Sequence, residues 1–284
     1  MILQTLILNT TLFISLSAVL GLLVGSFLNV VIYRLPIMLE RAWRQECAPL
    51  NPQHTPITSP FNLVLPRSHC PHCQHKIPFW HNIPLLSYLI LRGKCAYCKK
   101  SISAHYFLVE LISTSLTAFI AYWFGVSFET LFTWILTWSL ISLVVIDWKT
   151  QLLPDNITLP VLWLGLLANC FTLFAPLHSA VFGAIGAYLS LWLLMQTYKL
   201  FTKKVAMGHG DFKLFAVFGA WIGWQTLPLL ILLAALCGSI VGIMLLWIKK
   251  QKLTQPIPFG PFLAIIGWAL FMFHSELTSW SLWL

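Results

Sequence analysis

Residues 227–248 read LPLLILLAALCGSIVGIMLLWI and contain no charged side chain. A helix needs about 20 apolar residues to cross the hydrocarbon layer of a membrane, so this stretch predicts a transmembrane helix. The rest of the chain has the same character, because 58% of its 284 residues are hydrophobic and only 9% are charged. Soluble domains carry about 25% charged residues. The composition therefore excludes a soluble domain and predicts an all-α polytopic membrane protein.

Seven other apolar stretches are candidate spans, which gives about eight transmembrane helices. A count of seven is the alternative, because one stretch, Phe212–Trp224, is short. The candidate spans are Leu6–Ile32, Tyr106–Phe124, Leu131–Ile146, Ile157–Phe174, Ala180–Tyr198, Phe212–Trp224, Leu227–Ile248 and Pro258–Phe273.

The basic residues indicate how these spans are oriented. The chain has 17 Lys and Arg against 8 Asp and Glu. If the polar loop Arg34–Lys100 is cytoplasmic and eight spans alternate, every later Lys and Arg falls on the cytoplasmic side and both termini lie outside. The positive charge is thus typical of topology signals that also attract anionic lipid head groups, and nucleic acid is not expected as a partner.

The polar segment between the first two spans carries four cysteines in two pairs, Cys70-Pro-His-Cys73 and Cys95-Ala-Tyr-Cys98. Each C-x-x-C turn presents two thiolates to one ion, and four sulfurs complete a tetrahedral structural zinc site. Incidental thiol pairs or a redox pair are the alternatives. The predicted organisation is a first helix at 1–32, a small zinc-knuckle-like domain at 33–105, and a transmembrane core at 106–284.

The chain has only three aspartates, and each lies at the end of a predicted span. Asp147 closes one span and Asp211 opens another, and the alternating topology puts both on the cytoplasmic side. Acidic residues at such positions are functional candidates, and two adjacent carboxyl groups can share a proton and activate water. The alternatives are a helix cap for Asp211 and an interfacial charge for Asp147. Asp155 is expected to cap the helix that follows it.

Two glycines precede Asp211 in the sequence Gly208-His-Gly210-Asp211. A glycine allows the backbone to approach another chain closely, so Gly208 and Gly210 are candidates for contact with an extended substrate beside Asp211.

Several motifs, in the same order along the chain, resemble those of the type IV prepilin peptidases, which are the leader peptidases and N-methyltransferases of pilus and type II secretion systems. The similar segments are Gly25–Pro36, the two cysteine pairs, Asn82–Tyr88, Leu91–Cys95, Leu108–Glu110, Leu152–Pro160, Met207–Leu214 and Ile257–Phe262.

This resemblance implies an intramembrane aspartic protease of the G-x-G-D type, with Asp147 and Asp211 as its catalytic residues. Such an enzyme removes the short basic leader of type IV prepilins and secretion pseudopilins at the cytoplasmic face of the bacterial inner membrane. It then methylates the new N-terminal residue with S-adenosylmethionine. Glu110 is a candidate contact for the basic leader. The chain has no Rossmann-type glycine motif, so the sequence does not place the S-adenosylmethionine site.

Three other functions remain open on the sequence alone. A transporter or channel would use Asp147 and Asp211 as ion or proton sites. A scaffold of a secretion apparatus would use the cysteine domain to bind partners. A G-x-G-D protease with other membrane substrates would share the same dyad.

Overall fold

The computed structural model describes residues 9–47, 61–70, 72–78, 85–204, 207–249 and 257–273. Within these ranges the chain is helical, with two isolated β-bridges and no strand. The helices are α1 (Thr10–Cys47), α2 (Leu86–Ile90), α3 (Ala104–Phe124), α4 (Phe128–Thr150), α5 (Asp155–Cys170), α6 (Leu177–Thr202), α7 (His209–Ile222), α8 (Leu227–Lys249) and α9 (Gly260–Met272). The chain divides into two compact units, Met1–Thr130 and Leu131–Leu284.

Among the described residues, five helices are long and apolar enough to cross a membrane: α1, α3, α4, α6 and α8. The three other predicted spans also form helices, α5, α7 and α9, with 16, 14 and 13 residues. The fold class predicted from the sequence, a helical polytopic membrane protein with a four-cysteine segment between its first and later helices, is confirmed.

The end of the first helix differs from the sequence prediction. The first span was expected to end at Ile32, but α1 continues through Pro36 to Cys47 and reaches 38 residues. The polar segment stabilises this extension, because the buried Arg34 guanidinium donates hydrogen bonds to the backbone carbonyls of Asn62 (2.9 Å) and Pro66 (2.5 Å). Part of the segment assigned to the cysteine domain is thus the continuation of a membrane helix.

In the first unit, α1 and α3 pack through small side chains. A Cβ atom added at Gly21 would lie 2.7 Å from Thr117 Cβ, and one at Gly25 would lie 2.9 Å from Glu110 Cα. Ser113 Oγ donates a hydrogen bond of 2.8 Å to the Gly21 carbonyl. Small residues let two membrane helices approach closely and bond through their backbones. The contact also brings Asn29, one turn beyond Gly25, beside Glu110.

In the second unit, α7 is the central helix, and every side chain from Leu214 to Ile222 is buried. Asn169 Nδ2, from α5, donates to the carbonyls of Ala220 (2.8 Å) and Trp221 (3.1 Å) near the C-terminal end of α7. Trp221 Nε1 donates in turn to the Val161 carbonyl at 3.0 Å. Because α7 is surrounded by other helices, its short length and apolar sequence are those of a core helix.

Candidate active site and metal centre

Asp147 and Asp211 come together in the second unit. Asp147 lies in the last turn of α4, where its side chain is buried, and Asp211 lies in the first turn of α7. The two carboxyl groups are close enough to interact as like charges. Two carboxyl groups in this relation do not both ionise easily, so one is favoured to stay protonated while the other is ionised. The arrangement therefore has the chemistry of an aspartic protease dyad.

Gly260, at the start of α9, is part of the same site and was not singled out as a site residue from the sequence. Its backbone lies within hydrogen-bonding reach of the Asp147 carboxylate. A Cβ atom at Gly260 would lie 2.5 Å from Asp147 Oδ2, an atom that has no hydrogen-bond partner among the described residues. The signal available in the sequence was a glycine directly before Pro261 at the start of an apolar stretch.

The two glycines before Asp211 have different surroundings. A Cβ atom at Gly210 would lie 2.7 Å from Leu153 Cβ, whereas one at Gly208 would meet only Asp211 Oδ2, at 3.9 Å. Gly210 is therefore required by close packing against the α4–α5 connection, and Gly208 leaves space beside Asp211. Contact of either glycine with a substrate stays a prediction.

The expectation that Asp155 caps a helix is wrong. Asp155 is the first residue of α5, its side chain makes no capping hydrogen bond, and the residue at the cap position is Pro154. Its carboxylate instead forms an ion pair with Lys213 of α7, with both oxygens 2.7 Å from Nζ. Asp155 therefore links α5 to α7 and lies outside the dyad.

The four paired cysteines form one cluster in the first unit, with all four Sγ atoms within 4.8 Å of one another. Cys70 Sγ and Cys98 Sγ are 3.8 Å apart. With a Zn–S bond of about 2.3 Å, the sulfurs of a tetrahedral site are about 3.8 Å apart. The donor set and its spacing fit one tetrahedral metal ion.

The two C-x-x-C turns share one backbone pattern. In each, the N–H and the carbonyl of the first cysteine bond to the backbone just beyond the second, and the residue after the second cysteine has a left-handed conformation, Gln74 with φ 57° and Lys99 with φ 58°. The bonds are Cys70 N–H to His75 O (3.0 Å), Gln74 N–H to Cys70 O (2.9 Å), Cys95 N–H to Lys100 O (2.9 Å) and Lys99 N–H to Cys95 O (3.0 Å).

Backbone N–H groups inside these turns also stabilise the thiolate form of the first cysteines. Those of Cys73 and His72 lower the pKa of the Cys70 thiol to about 6. Those of Cys98 and Tyr97 lower the pKa of the Cys95 thiol. A thiolate is the form that binds a metal, so the turns favour the ligand state of these side chains.

Glu110 belongs to the first compact unit, whereas Asp147 and Asp211 belong to the second. Its half-buried carboxylate accepts a hydrogen bond from Leu85 N–H at 2.8 Å and lies 3.5 Å from Asn29 Nδ2. Asn29 was not predicted as a site residue. The signal in the sequence was a carboxamide four residues after Gly25 within the first apolar stretch.

Comparison with known proteins identifies the family. Residues 19–124 match the model of the bacterial peptidase A24 N-terminal domain, and residues 134–243 match that of the type IV leader peptidase family. The chain belongs to the type IV leader peptidase family. In this member of the leader peptidase family, each of the two matched segments falls entirely within one compact unit.

Several curated members of the leader peptidase family are similar over nearly their whole length, and each is named prepilin leader peptidase/N-methyltransferase. Those of Stutzerimonas stutzeri and Pseudomonas aeruginosa are each 50% identical to this chain, covering 95% and 94% of it and 94% and 92% of their own length. That of Aeromonas hydrophila is 48% identical over 95% of this chain and 94% of its own. No solved structure matches the chain significantly. The family predicted from the sequence motifs is confirmed.

Proposed function

We propose that this chain cleaves the leader peptide from type IV prepilins with Asp147 and Asp211 and then methylates the new N-terminal amine. The observation that carries the peptidase assignment is the meeting of these two aspartates at the ends of α4 and α7, in a chain of the leader peptidase family. The relatives' shared name supports both activities.

In the proposed cleavage, one carboxylate of the dyad takes a proton from a water molecule whose oxygen attacks the scissile carbonyl carbon. The other aspartate, protonated, donates its proton to the carbonyl oxygen. The C–N bond then breaks with its electron pair on nitrogen, and that nitrogen takes the proton held by the first aspartate. One hydroxyl group of the tetrahedral intermediate returns its proton to the second aspartate as the new carboxyl group forms, which restores the dyad. The Asp147 side chain is buried, and the Gly260 backbone lies within hydrogen-bonding reach of its carboxylate.

Two groups absent from the chain itself belong to the proposal. The cysteine cluster, Cys70, Cys73, Cys95 and Cys98, fits a single structural zinc ion that fixes the fold of its segment. When bound, S-adenosylmethionine would supply the methyl group that the new N-terminal amine receives in exchange for one proton.

The substrates and the location follow from the same assignment. Type IV prepilins are the expected substrates, and secretion pseudopilins, with the same leader and apolar helix, are expected as well. The protein is expected in the bacterial inner membrane, among lipids whose anionic head groups meet its basic loops. The dyad lies at helix ends, which suits a cut between a cytoplasmic leader and a membrane-embedded helix.

Leader removal from a prepilin in membranes tests the dyad. We expect Asp147→Asn and Asp211→Asn each to slow cleavage by about 10²–10⁴-fold, because each removes one partner of the proton transfer. Asp155→Asn is the matched control and is expected to retain cleavage, because an exposed ion pair such as that of Asp155 with Lys213 contributes little to stability. Cleavage at the wild-type rate in both dyad variants would contradict the proposal and favour a transporter.

A further inference from the structure

The first unit contains a cavity of about 440 Å³ that neither the dyad nor the metal-binding role of the cysteines explains. One face of α1, carrying Ser26, Asn29, Val30 and Tyr33, forms one wall. The N-terminal turns of α3 and the first cysteine of each C-x-x-C turn form others. Small-molecule sites in proteins have volumes of about 300–1,000 Å³, so the cavity has the size of a cofactor site.

Glu110 gives this cavity a negative group. The carboxylate is held by Leu85 N–H and lies beside Asn29, and within the described ranges no Lys or Arg forms an ion pair with it. Basic residues also line the cavity. Arg34 is one of them, and its guanidinium binds two backbone carbonyls. The others are Lys100 and the histidines His69, His72 and His105. A half-buried carboxylate without an ionic partner can form a charge-assisted hydrogen bond with a cationic ligand.

Asn29 supplies a second, independent indication of a ligand. Its side chain is 93% buried, and Nδ2 donates to the Tyr106 carbonyl at 3.0 Å. Its Oδ1 has no hydrogen-bond partner in the described part of the chain. Buried polar atoms are nearly always hydrogen-bonded, so we expect this oxygen to accept a hydrogen bond from a bound molecule. An amino or hydroxyl group of a bound molecule is such a donor.

Aromatic side chains complete the lining. An aromatic face attracts a cation and also stacks on a planar heterocycle. Two of the rings, Tyr88 and Phe107, already pack against each other with centroids 5.2 Å apart. The aromatic lining residues are Tyr33, Tyr88, Tyr97, Tyr106 and Phe107.

From these features we propose that the cavity of the first unit is the S-adenosylmethionine site. Glu110 and Asn29 bind the cationic amino-acid portion of the cofactor, and the aromatic rings contact its adenine and its sulfonium. A carboxylate, an unsatisfied amide oxygen and aromatic faces match a molecule that joins an ammonium group, a sulfonium and a purine. This inference rests on the proposed methyltransferase function.

Binding of radiolabelled S-adenosylmethionine to the purified full chain in detergent, without prepilin, tests the site. Val30→Trp places a large ring in the cavity, and we expect it to abolish binding. Glu110→Gln keeps the size of the side chain and removes its charge, and we expect about tenfold weaker binding or more. Phe27→Trp is the matched control, because Phe27 lies on the same helix, is 54% exposed and does not line the cavity. Its affinity is expected to equal that of the wild type.

Leader removal, measured on the same preparations, separates the possible failures. Variants that cleave normally but do not bind S-adenosylmethionine are folded and support the site. Wild-type affinity in both Val30→Trp and Glu110→Gln overturns the cavity assignment while leaving the methyltransferase function intact. A wild-type chain that cleaves but binds no S-adenosylmethionine overturns the methyltransferase function itself. Loss of cleavage with normal cofactor binding would assign the cavity to the leader peptide instead.

Discussion

At the scale of single residues, Gly260 packs closely against the Asp147 carboxylate. With the backbone unchanged, alanine at this position would place a methyl group 2.5 Å from Asp147 Oδ2, so the carboxylate would have to move. A displacement of about 1 Å at a reacting group can cost about 10²-fold in rate. We therefore expect Gly260→Ala to slow leader removal by about 10²-fold, measured as initial rates on a prepilin in membranes.

Gly186 offers the control for this change. A Cβ atom added there meets nothing within 4 Å, so Gly186→Ala introduces the same methyl group in the second unit without a contact. It is expected to keep the wild-type rate. Equal rates in the two alanine variants would show that Gly260 has no part in positioning Asp147.

The cysteines allow a second prediction at this scale. Cys70→Ser replaces one of the four thiols of the cluster with a hydroxyl group. We expect the wild-type protein to be purified with one zinc ion per chain, as measured by atomic absorption, and this variant to lack it. Cys170 lies outside the cluster, so Cys170→Ser is expected to retain the metal. Equal zinc content in the two variants would contradict the four-thiolate site.

At the scale of elements, the contact between α1 and α3 depends on the absence of side chains at two positions of α1. Gly21→Ala would bring a methyl group to 2.7 Å from Thr117 Cβ, and overpacking of this kind costs about 1–3 kcal/mol. We expect a lower thermal unfolding temperature for this variant in detergent. Leu23→Ala changes an exposed side chain of the same helix and is expected to have a smaller effect. The opposite ranking would show that α1 and α3 do not pack through Gly21.

The sequence predicted which segments are helical better than it predicted where they end or what covers them. Apolar runs identified every long helix, because a membrane span has to satisfy its backbone internally. The sequence did not predict the end of α1. The helix is stabilised there by hydrogen bonds from Arg34 to carbonyls about thirty residues away, and the pattern of apolar residues along a helix gives no information about such distant contacts.

In the candidate site too, some residues could be proposed from the sequence and others only from the structure. Aspartates at the ends of apolar runs stand out because ionisable groups there are rare, so the sequence was enough to propose Asp147 and Asp211 as site residues. Gly260 stands out by its closeness to Asp147, and Asn29 by an amide oxygen without a partner. Neither property is visible before α9 is placed beside α4 and α3 beside α1. The Lys213 ion pair that replaces the expected cap at Asp155 likewise requires α5 and α7 to be adjacent.

At the scale of the whole molecule, the eight-span topology predicts that the short helices α5, α7 and α9 each cross the membrane. If they do, the connection between α5 and α6 and that between α7 and α8 face the outside, with all Lys and Arg of the later connections inside. We expect alkaline phosphatase fused after Ala175 or Trp224 to be active, and the same enzyme fused after Lys204 to be inactive. An inactive fusion after Ala175 would contradict the eight-span topology.

The stripe of buried residues Ser17, Gly21, Gly25 and Asn29 recurs every four positions along α1. Each residue advances a helix by about 100°, so a single inserted or deleted residue between Gly25 and Asn29 would rotate everything beyond it away from α3. The hydrogen bond of Asn29 to the Tyr106 carbonyl and the amide oxygen in the cavity would then be lost together, while Gly21 and Gly25 kept their contact with α3. The number of residues in this part of α1 is therefore constrained more strictly than their identity. We expect homologues to differ there by substitution, and to carry their insertions and deletions in the loops.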